Sequence, residues 1–180
     1  MADRDLHLPE GVPTGAAVVL HPHPGMGGDR HHPAVVAIAA GLAAAGIAAL
    51  RVDLRDPNPE PSADALRAVV DELLVEVGTD RLLLAGYSWG SIVASLVSDP
   101  RLVKRVLVAP PVSLLVQADG DGTPTLVLVP AHDQFGPPDA VRDALGDRPG
   151  TNVEVVEGAD HFLAGAVERI AERAVAFLAA

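Results

Sequence analysis

A serine set between two glycines, Gly86-Tyr87-Ser88-Trp89-Gly90, is the pattern in this chain best suited to nucleophilic chemistry. It follows the apolar run Leu82-Leu83-Leu84-Ala85 and leads into Ser91-Ile92-Val93-Ala94, so a strand is expected to turn directly into a helix at Ser88. Such a turn lifts the central side chain above the sheet edge. Glycines two residues to either side let neighbouring backbone approach where a Cβ would clash. The helix that follows aims its N-terminal dipole at negative charge developing there. The spacing predicts Ser88 as a nucleophile; the plainer alternative is a Gly-flanked turn with an incidental serine.

A serine hydroxyl near neutral pH is a weak nucleophile and needs a base within hydrogen-bond reach. Of the seven histidines, His161 in Gly158-Ala159-Asp160-His161-Phe162 stands between the last expected strand and the last expected helix. His7 belongs to the N-terminal stretch, His31 and His32 to a helix start, and His132 to the end of a different strand. Only His161 follows both the serine and the candidate acid along the chain. The base in turn needs a carboxylate to fix its tautomer and stabilise its charged form. Asp133, in Pro130-Ala131-His132-Asp133-Gln134-Phe135 beyond another strand, fits that part. Asp160 competes, but consecutive side chains usually diverge, so a separate strand end is the better source. Asp139 and Asp143 are assigned to a helix surface.

The tetrahedral oxygen formed by attack on an acyl carbon requires two donors. The Trp89 backbone N–H, next to the nucleophile, is the first. The second should come from the loop His21-Pro22-His23-Pro24-Gly25-Met26-Gly27-Gly28. Its prolines carry no N–H, which leaves His23, Gly25 and Met26, with His23 preferred and Met26 in reserve. Gly25, Met26 and Tyr87 are the expected substrate contacts. The cluster of His21, His23, His31 and His32 also suggests a zinc site, but no cysteine assists. An adjacent His-His pair, moreover, rarely points both rings at one ion. No metal and no cofactor is therefore expected.

The elements needed to bring these residues together can be read from hydropathy. The continuous apolar run at 15–20 suits a strand buried on both faces, and the apolar-rich runs at 47–52, 81–85, 102–109, 124–129 and 153–156 read as further strands. Between them, 33–45, 62–76, 91–98 and 138–145 read as helices, and 163–178 as a closing one. Ser62 is the expected cap of the second helix, and Leu66, Val69, Val70, Leu73 and Val77 form its inward face. Repeated strand-helix-strand units require crossovers to one sheet, giving an α/β fold with a mostly parallel sheet of about six strands and helices on both faces. The whole chain, 1–180, reads as one domain, with 1–14 as a tail or stub strand. Loops are expected at 56–61 and 118–123, and 110–123 is too short for a helical lid. Ligands of such sheets sit beyond the carboxyl ends of the strands, where Ser88, Asp133 and His161 all fall.

Composition narrows the classes of function. The 180 residues are 49% hydrophobic and only 3% aromatic, so the core is built of Ala, Val and Leu. The absence of cysteine excludes disulfides, thiolate metal sites and a cysteine nucleophile. A net charge of −11 without any basic cluster argues against a nucleic-acid partner. The apolar run 34–50 falls short of the ~18 residues that suggest a membrane span, and glycines interrupt it. With the charged start Met1-Ala2-Asp3-Arg4-Asp5 lacking any secretory signal pattern, a cytoplasmic protein with no membrane partner is expected.

Taken together, the Ser88 pattern, Asp133, and Gly158-Ala159-Asp160-His161-Phe162 in that order resemble the α/β-hydrolase superfamily. The segment His21-Pro22-His23-Pro24…Gly27-Gly28 is similar to one in the small, lidless bacterial hydrolases related to dienelactone hydrolase. The resemblance runs from about Ala16 to the end. It implies a triad of Ser88, Asp133 and His161, and an oxyanion hole of the His23 and Trp89 amides. The implied activity is that of a serine hydrolase cleaving a carboxylic ester or thioester of a small molecule through an acyl-enzyme. An acyltransferase or cyclase using the same triad is the alternative, as is a non-catalytic binding protein on this fold. Three departures stand out. Only 6–9 remains of the usual N-terminal hairpin. The stretch Asp56-Pro57-Asn58-Pro59-Glu60-Pro61 replaces a Gly-containing loop. Ser88 stands where dienelactone hydrolases carry cysteine, so their substrate is not implied. Arg51 and Arg55 read as solvating a strand end, with contact to an anionic substrate as the rival role.

Overall fold

The computed structural model describes residues 3–115 and 121–180; residues 1–2 of the expected tail and 116–120, within the stretch 110–123 read as too short for a lid, lie outside the described residues. Seven strands form one sheet: β1 (Arg4–His7), β2 (Ala16–Leu20), β3 (Ala48–Val52), β4 (Leu82–Tyr87), β5 (Leu102–Val108), β6 (Thr125–His132) and β7 (Thr151–Asp160), in the spatial order β1-β3-β2-β4-β5-β6-β7. All neighbouring pairs are parallel except β1 with β3. The helices are α1 (Pro33–Ala44), α2 (Pro59–Val77), α3 (Trp89–Leu96), α4 (Pro138–Leu145) and α5 (Val167–Ala179).

Side chains alternate across each strand, so a wholly apolar strand feeds two cores at once. On one face Val19, Ala49, Leu83, Ala85, Val106 and Leu128 pack against α1 and α5. On the other, Val18, Leu20, Leu50, Leu84 and Val127 pack against α2, α3 and α4. The central strands β2, β3 and β4 are buried along their whole length.

The sheet has one strand more than the apolar runs indicate. Arg-Asp-Leu-His at β1 carries no apolar run, yet it pairs antiparallel along the outer edge of β3, Arg4 opposite Val52 and His7 opposite Ala49. Its charges are matched by neighbours: Arg4 binds Glu76, and Asp5 binds both Arg30 and Arg51. The other edge strand, β7, extends beyond the expected 153–156 at both ends, taking in Thr151 and Asn152 before it and 157–160 after it, residues that carry no apolar run because most of this edge strand is only partly buried. Helix α2 begins at Pro59 rather than at Ser62. Asn58 takes the cap position with proline behind it, and the Ser62 hydroxyl donates back to the Asp56 carbonyl at 2.9 Å. Helix α5 starts later than expected, after Leu163 and Gly165 adopt positive φ in a turn that closes over the end of β7.

Candidate active site

Ser88 occupies the junction of β4 and α3 with φ 53° and ψ −120°, a conformation that non-glycine residues rarely adopt. Such a geometry costs on the order of 1–3 kcal/mol and persists only where the surroundings enforce it. Here the Ser88 N–H donates to the Val108 carbonyl at 2.8 Å, which extends the β4–β5 ladder by one residue. Its own carbonyl accepts from the Ser91 N–H and the Ser91 hydroxyl, fixing the first turn of α3. The two flanking glycines answer to separate contacts. A Cβ at Gly86 would lie 2.2 Å from the Gly90 carbonyl oxygen, and one at Gly90 would lie 2.5 Å from the carbonyl oxygen of His21. The serine turn is therefore compressed between its own helix and the end of β2.

His161 follows the last residue of β7 and turns its ring back over the sheet. Its Nε2 lies 3.0 Å from Ser88 Oγ, and its Nδ1 lies 3.0 and 2.9 Å from the two oxygens of Asp133. A carboxylate can only accept, so the ring proton belongs on Nδ1 and the Nε2 lone pair faces the serine hydroxyl. Asp133 and His161 are 3% and 6% exposed, which keeps water from competing for these bonds. The loop after β6 orients the acid as well: Asp133 Oδ1 accepts from the N–H groups of Phe135 and Gly136, at 2.8 and 3.0 Å. Asp160, the rival acid, instead makes a long 3.5 Å contact with the Ala164 N–H. The Phe135 ring meets the His161 ring edge-on at 4.6 Å and closes one side of it.

A cleft of about 330 Å³ opens above Ser88. Met26, Tyr87 and His23 line it, whereas Gly25 does not, its N–H donating to His23 Nδ1 at 3.0 Å. The Met26 N–H donates to the His23 carbonyl at 3.0 Å inside the short 3₁₀ turn at Pro24–Met26. Among the described residues the His23 and Trp89 N–H groups make no such bond. Of the three loop donors, only His23 is thus free to bind an incoming oxygen.

Other wall residues are not assigned to the cleft by sequence reasoning: Leu114 after β5, Phe135 after β6, Phe162 after β7 and His32 at the start of α1. For the three apolar ones the only signal is a large side chain beyond a strand end. Burial holds the His32 ring below its ordinary pKa, a tendency that nearby Asp29 opposes and His21 reinforces. Burial also raises the Tyr87 phenol to about 12, with the charges of Asp133 and Asp160 adding to the effect.

The clustered histidines are engaged separately. His21 is bonded through both ring nitrogens to backbone groups, and Nδ1 of His23 and of His32 each accept a backbone N–H. Among the described residues, no group of three or more His, Cys, Asp or Glu side chains is arranged to hold a metal ion. Arg51 is buried at 7%, tied to His7, Asp5 and the Arg30 carbonyl, and Arg55 pairs with Asp3; neither lines the cleft. Among the described residues, no helix is long and apolar enough to cross a membrane.

Solved structures with this architecture include α/β serine hydrolases. A lidless α/β serine hydrolase from Xanthomonas campestris superposes with a TM-score of 0.86 at 25% identity, over 96% of this chain and 86% of that one. An α/β serine hydrolase homologue from Coxiella burnetii gives 0.84 at 25% identity, over 98% and 91% of the respective chains. The chain has the α/β serine hydrolase fold. A dienelactone hydrolase from Anabaena variabilis shares that fold more distantly, with a TM-score of 0.76 at 20% identity over 97% of this chain and 89% of the other. No family model and no curated protein matches the sequence.

Proposed function

We propose that this α/β-hydrolase-fold chain is a serine hydrolase that cleaves an uncharged carboxylic ester or thioester of a small molecule through an acyl-enzyme on Ser88. The observation that carries this reading is the continuous relay from Ser88 Oγ through the His161 ring to the buried Asp133 carboxylate, every link 2.9–3.0 Å long. In the acylation step Ser88 Oγ attacks the acyl carbon while its proton passes to His161 Nε2. Asp133 offsets the positive charge that the imidazole acquires. The former carbonyl oxygen becomes an oxyanion held by the His23 and Trp89 backbone N–H groups. Collapse of the tetrahedral species breaks the bond to the leaving oxygen or sulfur, which takes the proton from Nε2. Water then repeats the sequence on the acyl-enzyme: its proton goes to His161, its oxygen to the acyl carbon, and Ser88 recovers its proton as the acid departs.

The walls of the cleft argue for an uncharged acyl group. Among the described residues they contain no Asp, Glu, Lys or Arg, and they include Met26, Leu114, Phe135 and Phe162. A carboxylate buried there would find no cationic partner, and the overall charge of −11 repels anions at longer range.

Fluorophosphonate labelling provides the test. The folded protein is expected to label at one site and Ser88→Ala not at all; absence of labelling in the wild type, or unchanged labelling in Ser88→Ala, defeats the enzymatic reading. In a panel of p-nitrophenyl esters, an acyl chain ending in a carboxylate should be cleaved roughly tenfold or more slowly than its neutral counterpart. Adding a competing alcohol or amine separates hydrolysis from acyl transfer, because only a transferase diverts most of the acyl group.

A further inference from the structure

His21 is the first residue after β2, 1% exposed, and bonded at both ring nitrogens. Nε2 accepts from the Leu54 N–H at 2.9 Å. That partner offers only a proton, so Nε2 is unprotonated and the ring proton resides on Nδ1. From there it is donated to the Pro22 carbonyl at 2.6 Å. The ring is further held against Trp89, nearly parallel, with centroids 5.7 Å apart.

The Pro22 carbonyl and the His23 N–H are the two ends of a single peptide unit. The described residues contain no cis peptide bond, so these two groups point in opposite directions from one plane. Fixing the oxygen therefore fixes the direction of the N–H. Gly28 blocks the other escape: a Cβ there would lie 2.2 Å from the Pro22 oxygen, so the carbonyl is held between the imidazole and the Gly28 backbone. The Met26 and Gly28 N–H groups both turn inward to the His23 carbonyl, leaving the His23 N–H as the outward-facing donor of the loop.

We infer that His21 is a positioning residue of the oxyanion hole: its Nδ1–H grips the Pro22 oxygen so that the His23 N–H faces the cleft and donates more strongly. The inference rests on the proposed role of the His23 amide in hydrolysis. Accepting a bond at its carbonyl polarises a peptide and strengthens the bond its N–H makes. The gain grows as negative charge appears on the substrate oxygen, so it acts on the transition state more than on the bound substrate. His21 touches no reacting atom; it acts through the peptide next to it.

Two substitutions separate the two ring bonds. His21→Asn keeps a donor near the position of Nδ1 and gives up the bond from Leu54. His21→Gln reaches the Leu54 N–H but has no donor placed for Pro22. Two readouts are needed, the amide ¹H–¹⁵N signal of His23 in the resting protein and kcat with KM on a p-nitrophenyl ester. In His21→Gln the His23 signal should move, and kcat should fall by about tenfold with KM changed less than about threefold. His21→Asn should restore most of both. Equal losses in the two variants, a fall expressed in KM alone, or a His23 signal unmoved in His21→Gln would each overturn the inference even where Ser88→Ala is inactive. If the His23 signal responds as expected but Ser88→Ala retains full esterase activity, the hydrolase reading is what has failed, and the catalytic role of His21 falls with it.

Discussion

The Tyr87 hydroxyl donates to the backbone carbonyl of His161 at 2.7 Å, so the residue before the nucleophile holds the residue that carries the base. The two are 74 positions apart in the chain, and this bond joins the end of β4 to the turn beyond β7. Sequence spacing marks Tyr87 as a substrate contact. The structure places its ring on the cleft but spends its only polar group on His161. Because burial raises the phenol pKa to about 12, the hydroxyl remains a donor throughout the neutral and moderately alkaline range. Tyr87→Phe keeps the ring and removes the donor. It should cost about 1–2 kcal/mol of stability in urea unfolding and slow fluorophosphonate labelling severalfold through looser placement of the imidazole. Unchanged labelling would show that the turn at His161 holds without this bond.

The glycines around Ser88 make a sharper test of the local packing. In Gly86→Ala the new methyl would meet the Gly90 carbonyl, and in Gly90→Ala it would meet the backbone at the end of β2. Both obstacles are main chain, which cannot rotate aside as a side chain can. Each substitution should destabilise the fold by about 2–3 kcal/mol or more, read as a lower urea midpoint with an unchanged slope. A variant with wild-type midpoint would mean that the strand-to-helix junction can open without loss.

What the sequence reveals and what it hides follow a physical division. β2, β3 and β4 are buried on both faces, so they are built almost wholly of apolar residues, with the ion-paired Arg51 of β3 as the exception, and can be read directly. The positions of Ser88 and Asp133 are legible for a related reason: each lies just past a buried apolar strand, where the sheet ends and the chain must turn; His161 follows an edge strand and is marked instead by its place after both of them in the chain. The edge strands are less legible. β1 pairs on one side only, and its Arg4 and Asp5 are matched by Glu76, Arg30 and Arg51, residues remote in the chain. Nothing local to Arg-Asp-Leu-His indicates that partnership. His21 shows the same limit: in the sequence it is one of four clustered histidines, and only the placement of Leu54 and Trp89 gives it a fixed tautomer and a task.

Acid should weaken the fold through two histidines that resist protonation. Burial lowers the pKa of His32, and burial with Arg51 beside it lowers that of His7. The unfolded chain then binds protons more readily than the folded one as pH drops through about 6.5. Stability is full above that value and declines as pH falls toward the lower folded-state pKa. His32 also caps α1, its Nδ1 accepting from the Ala34 N–H at 3.3 Å, a bond that protonation removes. His32→Asn supplies a cap that does not titrate, so stability at pH 7.5 should stay within about 1 kcal/mol of wild type. The decline between pH 7 and pH 5 should become shallower without vanishing, since His7 still contributes. Thermal unfolding across that range measures the slope; an identical slope in the variant would remove His32 from the account.

The two candidate acids differ by one substitution experiment each. Asp133 presents both oxygens to His161 Nδ1 and receives the Phe135 and Gly136 N–H groups on Oδ1. In Asp133→Asn the side-chain oxygen is expected to stay with those two backbone donors, which turns the amide NH₂ toward the imidazole. An NH₂ in place of Oδ2 repels the Nδ1 proton and leaves only the Oδ1 position, already shared by two backbone donors, to accept it, so the ring shifts toward the tautomer with its proton on Nε2, which opposes Ser88 Oγ and can no longer accept. The shape of the site survives while the relay runs the wrong way. A fall in kcat of about 10⁴ is the magnitude such a tautomer reversal has in serine proteases, and KM should change little. Asp160→Asn alters a carboxylate whose only hydrogen bond among the described residues is the 3.5 Å contact with Ala164, and kcat should remain within about threefold of wild type. Steady-state kinetics on one ester decide the matter. If Asp160→Asn proves the more damaging of the two, the acid has been misassigned, and the carboxylate beside His161 in sequence must reach it by a movement of the turn at Leu163.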